Sequence, residues 1–244
     1  SIALYFSALW AFFFNSLVKP EGALTKNIFI CFFGTGIVSM PIMLGFYEIG
    51  FFGEMAAQSD SNEFVSRYIG MFFGVAILEE ACKLFVLIIV WKWFQKDRCS
   101  IQTFMFYGLM SGLGFGIYEG VAYQTGANLS WIPDTEEVSG NSETLRELTH
   151  QTYIANVWRL TTLPFLHAIW CAIAGMFFGL STVYGYRWLL IGTGLVVPAL
   201  LHAGHNSLND FMDGWGIALV DILSVVVLMV YWREQQAIEK TLRS

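Results

Sequence analysis

Long apolar runs, separated by short clusters of charge and turn residues, dominate the pattern of this 244-residue chain. Read for apolar length and its interruptions, the pattern predicts seven helices, at about 2 to 18, 28 to 47, 68 to 94, 101 to 123, 152 to 184, 188 to 209 and 216 to 232. Several exceed the ~18 apolar residues needed to cross a hydrocarbon core of roughly 30 Å, and they are too long and too numerous for a cleaved signal peptide. The fold class expected is therefore all-α. It is a polytopic transmembrane helix bundle of about seven helices, a single membrane domain over 1–244 with no soluble domain. The chain opens at Ser1 without a methionine, which leaves room for residues upstream.

The polar connections alternate in sign. Lys19 and Lys26 follow the first helix, Glu48, Glu54, Asp60 and Glu63 the second, and Lys92, Lys96 and Arg98 the third. An acidic stretch at 124–151 carries Asp134, Glu136, Glu137, Glu143 and Glu147; Arg187, then Asp210 and Asp213, and finally Arg233, Lys240 and Arg243 complete the series. Counting Lys and Arg alone places the first, third and fifth connections and the C-terminus in the cytoplasm, and Ser1 outside. Only Arg67 and Arg146 oppose this, each in a long outer loop.

Composition supports the same class: 56% hydrophobic, 17% aromatic and 13% charged residues, far from the balance of a soluble domain. The net charge of -6 comes mostly from loops, and no basic patch suited to nucleic acid is present. Cys31, Cys82, Cys99 and Cys171 lack CxxC spacing and lie outside the outer loops, which supports neither a disulfide framework nor a thiolate zinc site. Gly108, Gly112, Gly116 and Gly120 recur every fourth residue, and Ala168, Ala172, Gly175 and Gly179 form a similar stripe on the fifth helix. Such stripes let neighbouring helices approach closely.

Against this background the segment GVAILEEACKLFVLIIVW, residues 74 to 91, is anomalous. Ionised groups at membrane depth cost several kcal/mol unless paired or hydrated. Lys83 lies three residues from Glu80 and four from Glu79, so it can neutralise one carboxylate and leaves the other needing a proton, a metal or water. At about 1.5 Å per residue, Glu79 and Glu80 lie roughly 17 Å, and His167 roughly 20 Å, below the outer ends of their helices. Glu119 and His202 fall in the outer half of helices running the other way, with Asn206 one turn nearer the surface. Four helices thus carry polar groups to overlapping depths. Pro164 and Pro198 precede His167 and His202 by three and four residues and can open the backbone there. His205 is a weaker candidate, since only one histidine of LHAGHNSL has to face inward; Arg159 and Asp221 are left outside the set.

Converging Glu and His groups support two chemistries. They can activate water for peptide hydrolysis, with or without a metal, since two histidines and a carboxylate form an open zinc set. They can equally pass protons or hold a cation in a transporter or channel. A seven-helix receptor would not need a Glu-Glu pair.

The ordered blocks EEACK at 79 to 83, FGIYE at 115 to 119, HAIWCAIAG from 167 and HAGHN at 202 to 206 resemble PrsW-type intramembrane proteases, relatives of the CAAX prenyl-protease and bacteriocin-processing superfamily. The resemblance implies a catalytic core at 68–209, on helices three to six, that cuts a membrane-anchored protein near the outer face of a bacterial cytoplasmic membrane. PrsW-like enzymes make such a cut in an anti-sigma factor. By the same resemblance Glu79 or Glu80 is the base, and Glu119, His167 and His202 are metal ligands or proton carriers, with Glu80 a further ligand candidate for Zn2+. Asn206 orients His202 or donates to the oxyanion, and Lys83 and Phe115 support the site. The partners implied are the membrane-anchored substrate and the lipid bilayer, with no nucleic acid.

Overall fold

The computed structural model describes residues 2–18, 20, 22–95, 100–125, 142–184, 186–208 and 215–243. Among these residues every regular element is helical. Ile2–Val18 forms α1, Thr25–Tyr47 forms α2 and Gly50–Gln58 forms α3. A continuous helical rod over 64–94, here α4, contains two π-helical turns, Met71–Ala76 and Val90–Phe94, on either side of Ile77–Ile89. Ile101–Thr125 is α5, Ser142–Val183 is α6, Arg187–Leu208 is α7 and Trp215–Arg243 is α8.

All seven expected helices are present, and their limits differ in informative ways. The second connection is not irregular: its GFFGEMAAQ segment forms α3, which folds back on the first π turn of α4. The side-chain-free faces of Gly70 and Gly74 admit the backbone of Ser59 and Ala56, and any Cβ at either glycine would collide with it. Ten residues assigned to the acidic loop, 142–151, instead extend α6, while 126–141 lie outside the described residues. The helix predicted to stop near 232 runs on to Arg243, because its charged end needs no lipid.

Four helical segments are long and apolar enough to cross a membrane: Thr25–Tyr47, Val157–Val183, Arg187–Leu208 and Trp215–Thr241. With the apolar surfaces that α1, α2 and α8 leave uncovered, among them Phe12, Phe33, Ile37, Leu219 and Met229, they make this an integral membrane protein. Three further crossings expected from the pattern do not meet that standard, by length or by composition. α1 has only 17 residues. α4 carries Arg67, Glu79, Glu80, Lys83 and Lys92, and α5 is diluted by glycine, tyrosine and Glu119.

The core is the seam between α5 and α6. Here the two predicted small-residue stripes meet each other: Gly108 faces the carbonyl of Cys171, Gly112 that of His167, and Gly175 that of Phe104. At Gly116 an added Cβ would stand 2.7 Å from Pro164 Cα. With 89% of its membrane window buried, α6 is the central post; the corresponding window of α8 is 11% buried and lies at the rim. α2 closes the other side of α5, where Thr35 and Ser111 share a 2.7 Å hydrogen bond. This layering sets the backbone of His167 directly against α5 and points its ring toward α4.

Gly112→Ala, which forces the seam apart at His167, is expected to destabilise the protein by about 1–3 kcal/mol. Gly192→Ala, where nothing lies within 4 Å of the new methyl, should not lower the melting temperature. Thermal unfolding of the two variants in detergent checks the contrast.

Candidate functional site

The π turn at Met71–Ala76 immediately precedes Ile77–Ile89, the helical segment that carries Glu79, Glu80 and Lys83. A π turn adds a residue to the helical circuit and rotates everything beyond it, a feature that recurs at functional sites. Here all three charged side chains turn inward: Glu80 and Lys83 are fully buried and Glu79 nearly so.

Lys83 organises the cluster. Its Nζ lies 2.6 Å from Glu80 Oε1 and 2.6 Å from His167 Nδ1, 3.8 Å from Glu79 Oε2, and 4.3 Å above the centre of the Phe115 ring. An ammonium has three N–H donors, so this environment leaves none pointing at hydrocarbon. Phe115 also packs against the His167 ring, at 5.1 Å between centroids. The Lys83 carbonyl accepts from Ser111 Oγ at 3.3 Å, which ties the same residue to α5.

The two histidines are held by different groups. His202 Nδ1 lies 3.1 Å from Glu80 Oε1, and its Nε2 lies 3.7 Å from Glu79 Oε2. A carboxylate behind an imidazole is the usual device for fixing a ring whose other nitrogen binds a metal. His167 is held from behind by Lys83, and its Nε2 lies 2.7 Å from Glu119 Oε2. Neither of those two close atoms is in a hydrogen bond, and neither is Glu79 Oε2. Buried polar atoms that stand close to charged neighbours yet make no hydrogen bond are rare and require an explanation.

A divalent cation would account for them. Glu79, His167 and His202 each offer one ligand atom, all within 4.8 Å of one another. Zinc bonds of roughly 2.0–2.2 Å place tetrahedral ligands about 3.4 Å apart, so small side-chain movements close this set. The residues fit the ion on three counts: donor type, burial and unused lone pairs.

The sequence-derived residues thus converge. Glu79, Glu80, Lys83, Phe115, Glu119, His167 and His202 form one contiguous cluster from α4, α5, α6 and α7. Glu79, rather than Glu80, groups with the histidines, because Glu80 Oε1 is shared by Lys83 and His202. Asn206 lies one turn beyond His202, half-buried, with no side-chain hydrogen bond among the described residues. His205 is not part of the cluster; its Nδ1 pairs with Asp221 Oδ1 at 2.7 Å. Sequence reasoning missed Trp170, whose indole stacks on His202 at 4.5 Å and 15°. Its position three residues after His167, on the same face of α6, is the signal that marks it.

The profile of one protein family, described as PrsW family intramembrane metalloprotease, matches residues 25–232. Comparison with curated proteins returns no match, and comparison with solved structures returns none.

Lys83→Met should cost about 3–5 kcal/mol, because it strands the Glu80 carboxylate in a dry site. The double variant Lys83→Met/Glu80→Gln should recover most of that loss, since the Glu80 charge stranded by the first change is then gone. Thermal unfolding of wild type, both single variants and the double variant measures the coupling.

Proposed function

The chain belongs to the PrsW family of intramembrane metalloproteases, and on that premise we propose that it cleaves a membrane-anchored protein near the outer face of the bilayer. Family membership sets aside the transporter and receptor readings. The observation that carries the proposal is the set of buried, unbonded atoms, Glu79 Oε2, Glu119 Oε2 and His167 Nε2, gathered where His202 Nε2 also points. Support for the outer face comes from position. Glu119 and Asn206 lie near the C-terminal ends of α5 and α7, and the charge pattern of the loops assigns that end to the outside. An anti-sigma-factor-like substrate in a bacterial cytoplasmic membrane, with the C-terminus of this chain in the cytoplasm, completes the reading.

Glu79, His167 and His202 would hold the metal, a zinc ion by donor type, which when bound supplies Lewis acidity toward water and the scissile carbonyl. Glu80 is closed to solvent and keeps the His202 ring oriented through Nδ1. Lys83 compensates the Glu80 charge and fixes the His167 ring. Glu119 has the most exposed side chain of the cluster, 12%, and its Oε2 has no hydrogen bond. It takes the proton of the attacking water and returns it to the leaving amine. This moves the base from Glu79 or Glu80, where the resemblance puts it, to the carboxylate at the open edge. Asn206, half-buried on the outer side of His202, donates its amide N–H to the carbonyl oxygen as negative charge develops. The low polarity of the surrounding helices strengthens each of these interactions.

In proteoliposomes with a membrane-anchored substrate, Glu119→Gln should lower kcat about 10²–10⁴-fold while bound metal is retained. Glu79→Gln and His167→Ala should lose the metal, as elemental analysis reads directly. Full cleavage by both Glu79→Gln and Glu119→Gln would remove the water-activation scheme.

A further inference from the structure

Helix α8 lies outside the catalytic core drawn from the motifs, yet two of its side chains reach the layer behind the site. Ser224 Oγ, fully buried, donates to the Val220 carbonyl at 2.8 Å, so its lone pairs are left to accept. They accept Trp170 Nε1–H at 3.0 Å. One turn away, Asp221 pairs with His205. Between these contacts and the active cluster stands the Trp170 indole, itself fully buried. It lies flat on His202, presents its edge to His167 at 5.2 Å and 86°, and touches His205 at 5.7 Å.

We infer that Trp170 and Ser224 are positioning residues for His202, and that α8 thereby acts as a clamp on the active site. The inference rests on the proteolytic reading and adds to it a residue pair supplied by the rim helix. The His202 ring meets three neighbours in the structure, the Glu80 carboxylate at Nδ1, the His167 ring edge-on at 5.0 Å and 88°, and the indole, which alone lies flat on its face. A hydrogen bond to Glu80 alone leaves the ring free to tilt about the Nδ1 contact. The stacked indole removes that tilt, which keeps Nε2 aimed at Glu79 Oε2. The indole in turn can rotate in its own plane unless its N–H is anchored, and Ser224 is the anchor. An aromatic stack and one buried hydrogen bond are enough to fix such a ring. Although α8 is the least buried of the four membrane-length helices, its packing on α6 and α7 reaches His202 through Ser224 and Trp170.

The test uses the full chain in proteoliposomes. Ser224→Ala should lower kcat about five- to fiftyfold with KM unchanged, the range expected when a buried N–H loses its acceptor. Ser224→Thr, which restores the hydroxyl, should return kcat to within about twofold of wild type. Trp170→Phe keeps a stacked ring and removes the N–H, so Trp170→Phe/Ser224→Ala should be no slower than Trp170→Phe alone. A second readout does not depend on cleavage: carbethoxylation of His202 by diethylpyrocarbonate, followed by mass spectrometry, should be faster in Ser224→Ala than in wild type and Ser224→Thr. Should Ser224→Ala fail to fold, Ser224→Cys, close in size and a weaker acceptor, carries the same comparison. Unchanged kcat and unchanged His202 labelling in the serine variants would overturn the clamp, as would losses that simply add in the double variant. If wild type cleaves nothing, the proteolytic reading fails while the labelling still decides the clamp.

Discussion

A lysine ammonium with no exposure to solvent has to find all its partners inside the protein, and the placement of Lys83 organises much of this bundle. Its Nζ is met by Glu80 from its own helix, by His167 from α6 and by the ring of Phe115 from α5. The last two partners can be supplied only if the three helices are packed at one register. The cost of burying charge therefore acts as a registration device: sliding α6 by one turn would take His167 away from both the Lys83 ammonium and the Glu119 carboxylate. The same contacts deliver His167 and His202 to Glu79 and Glu119, so the structural and chemical demands on the cluster are met together.

That register is also enforced from the other side by the absence of side chains. The α5–α6 seam is so close that carbonyl oxygens of α6 occupy the places where Cβ atoms of α5 would stand. In a membrane, where lipid tails offer no hydrophobic drive for helix association, such contact is a main source of cohesion. Small residues bring the helices together, and the buried charges select the alignment. Pro164, facing Gly116 across the seam three residues before His167, lies where both effects meet.

Membership of the PrsW family joins this architecture to proteolysis, and the donor geometry explains how a dry helix bundle can host hydrolysis. Carboxylates fully engaged in ion pairs would be poor ligands and poor bases. In this cluster the burden is unequal: Glu80 makes the short ion pair to Lys83, Glu79 stands farther from it at 3.8 Å, and each of Glu79, Glu80 and Glu119 keeps one oxygen outside any hydrogen bond. This leaves lone pairs available for a cation or for water, and the excess of carboxylates over the single ammonium is a charge that a bound cation would balance. The rim helix α8 joins the scheme through Ser224 and Trp170, which makes the support of the site wider than its motifs.

The sequence by itself determined the membrane class, the existence of seven helices, the small-residue stripes and the residues that make up the cluster. These are legible because each violates or satisfies a local rule: a charge within an apolar run, a glycine every fourth residue, a histidine after a proline. It left open which carboxylate serves which partner, since Glu79 and Glu80 are adjacent and only a π turn and three neighbouring helices distinguish them. It also gave no sign that 50–58 would coil into α3, and it marked Trp170 only by its place on the His167 face of α6, not by any hint that the indole would lie on His202, because an aromatic in an apolar helix breaks no rule. Pairing across helices is a property of distance in space, and distance in space was decided by the tertiary structure alone.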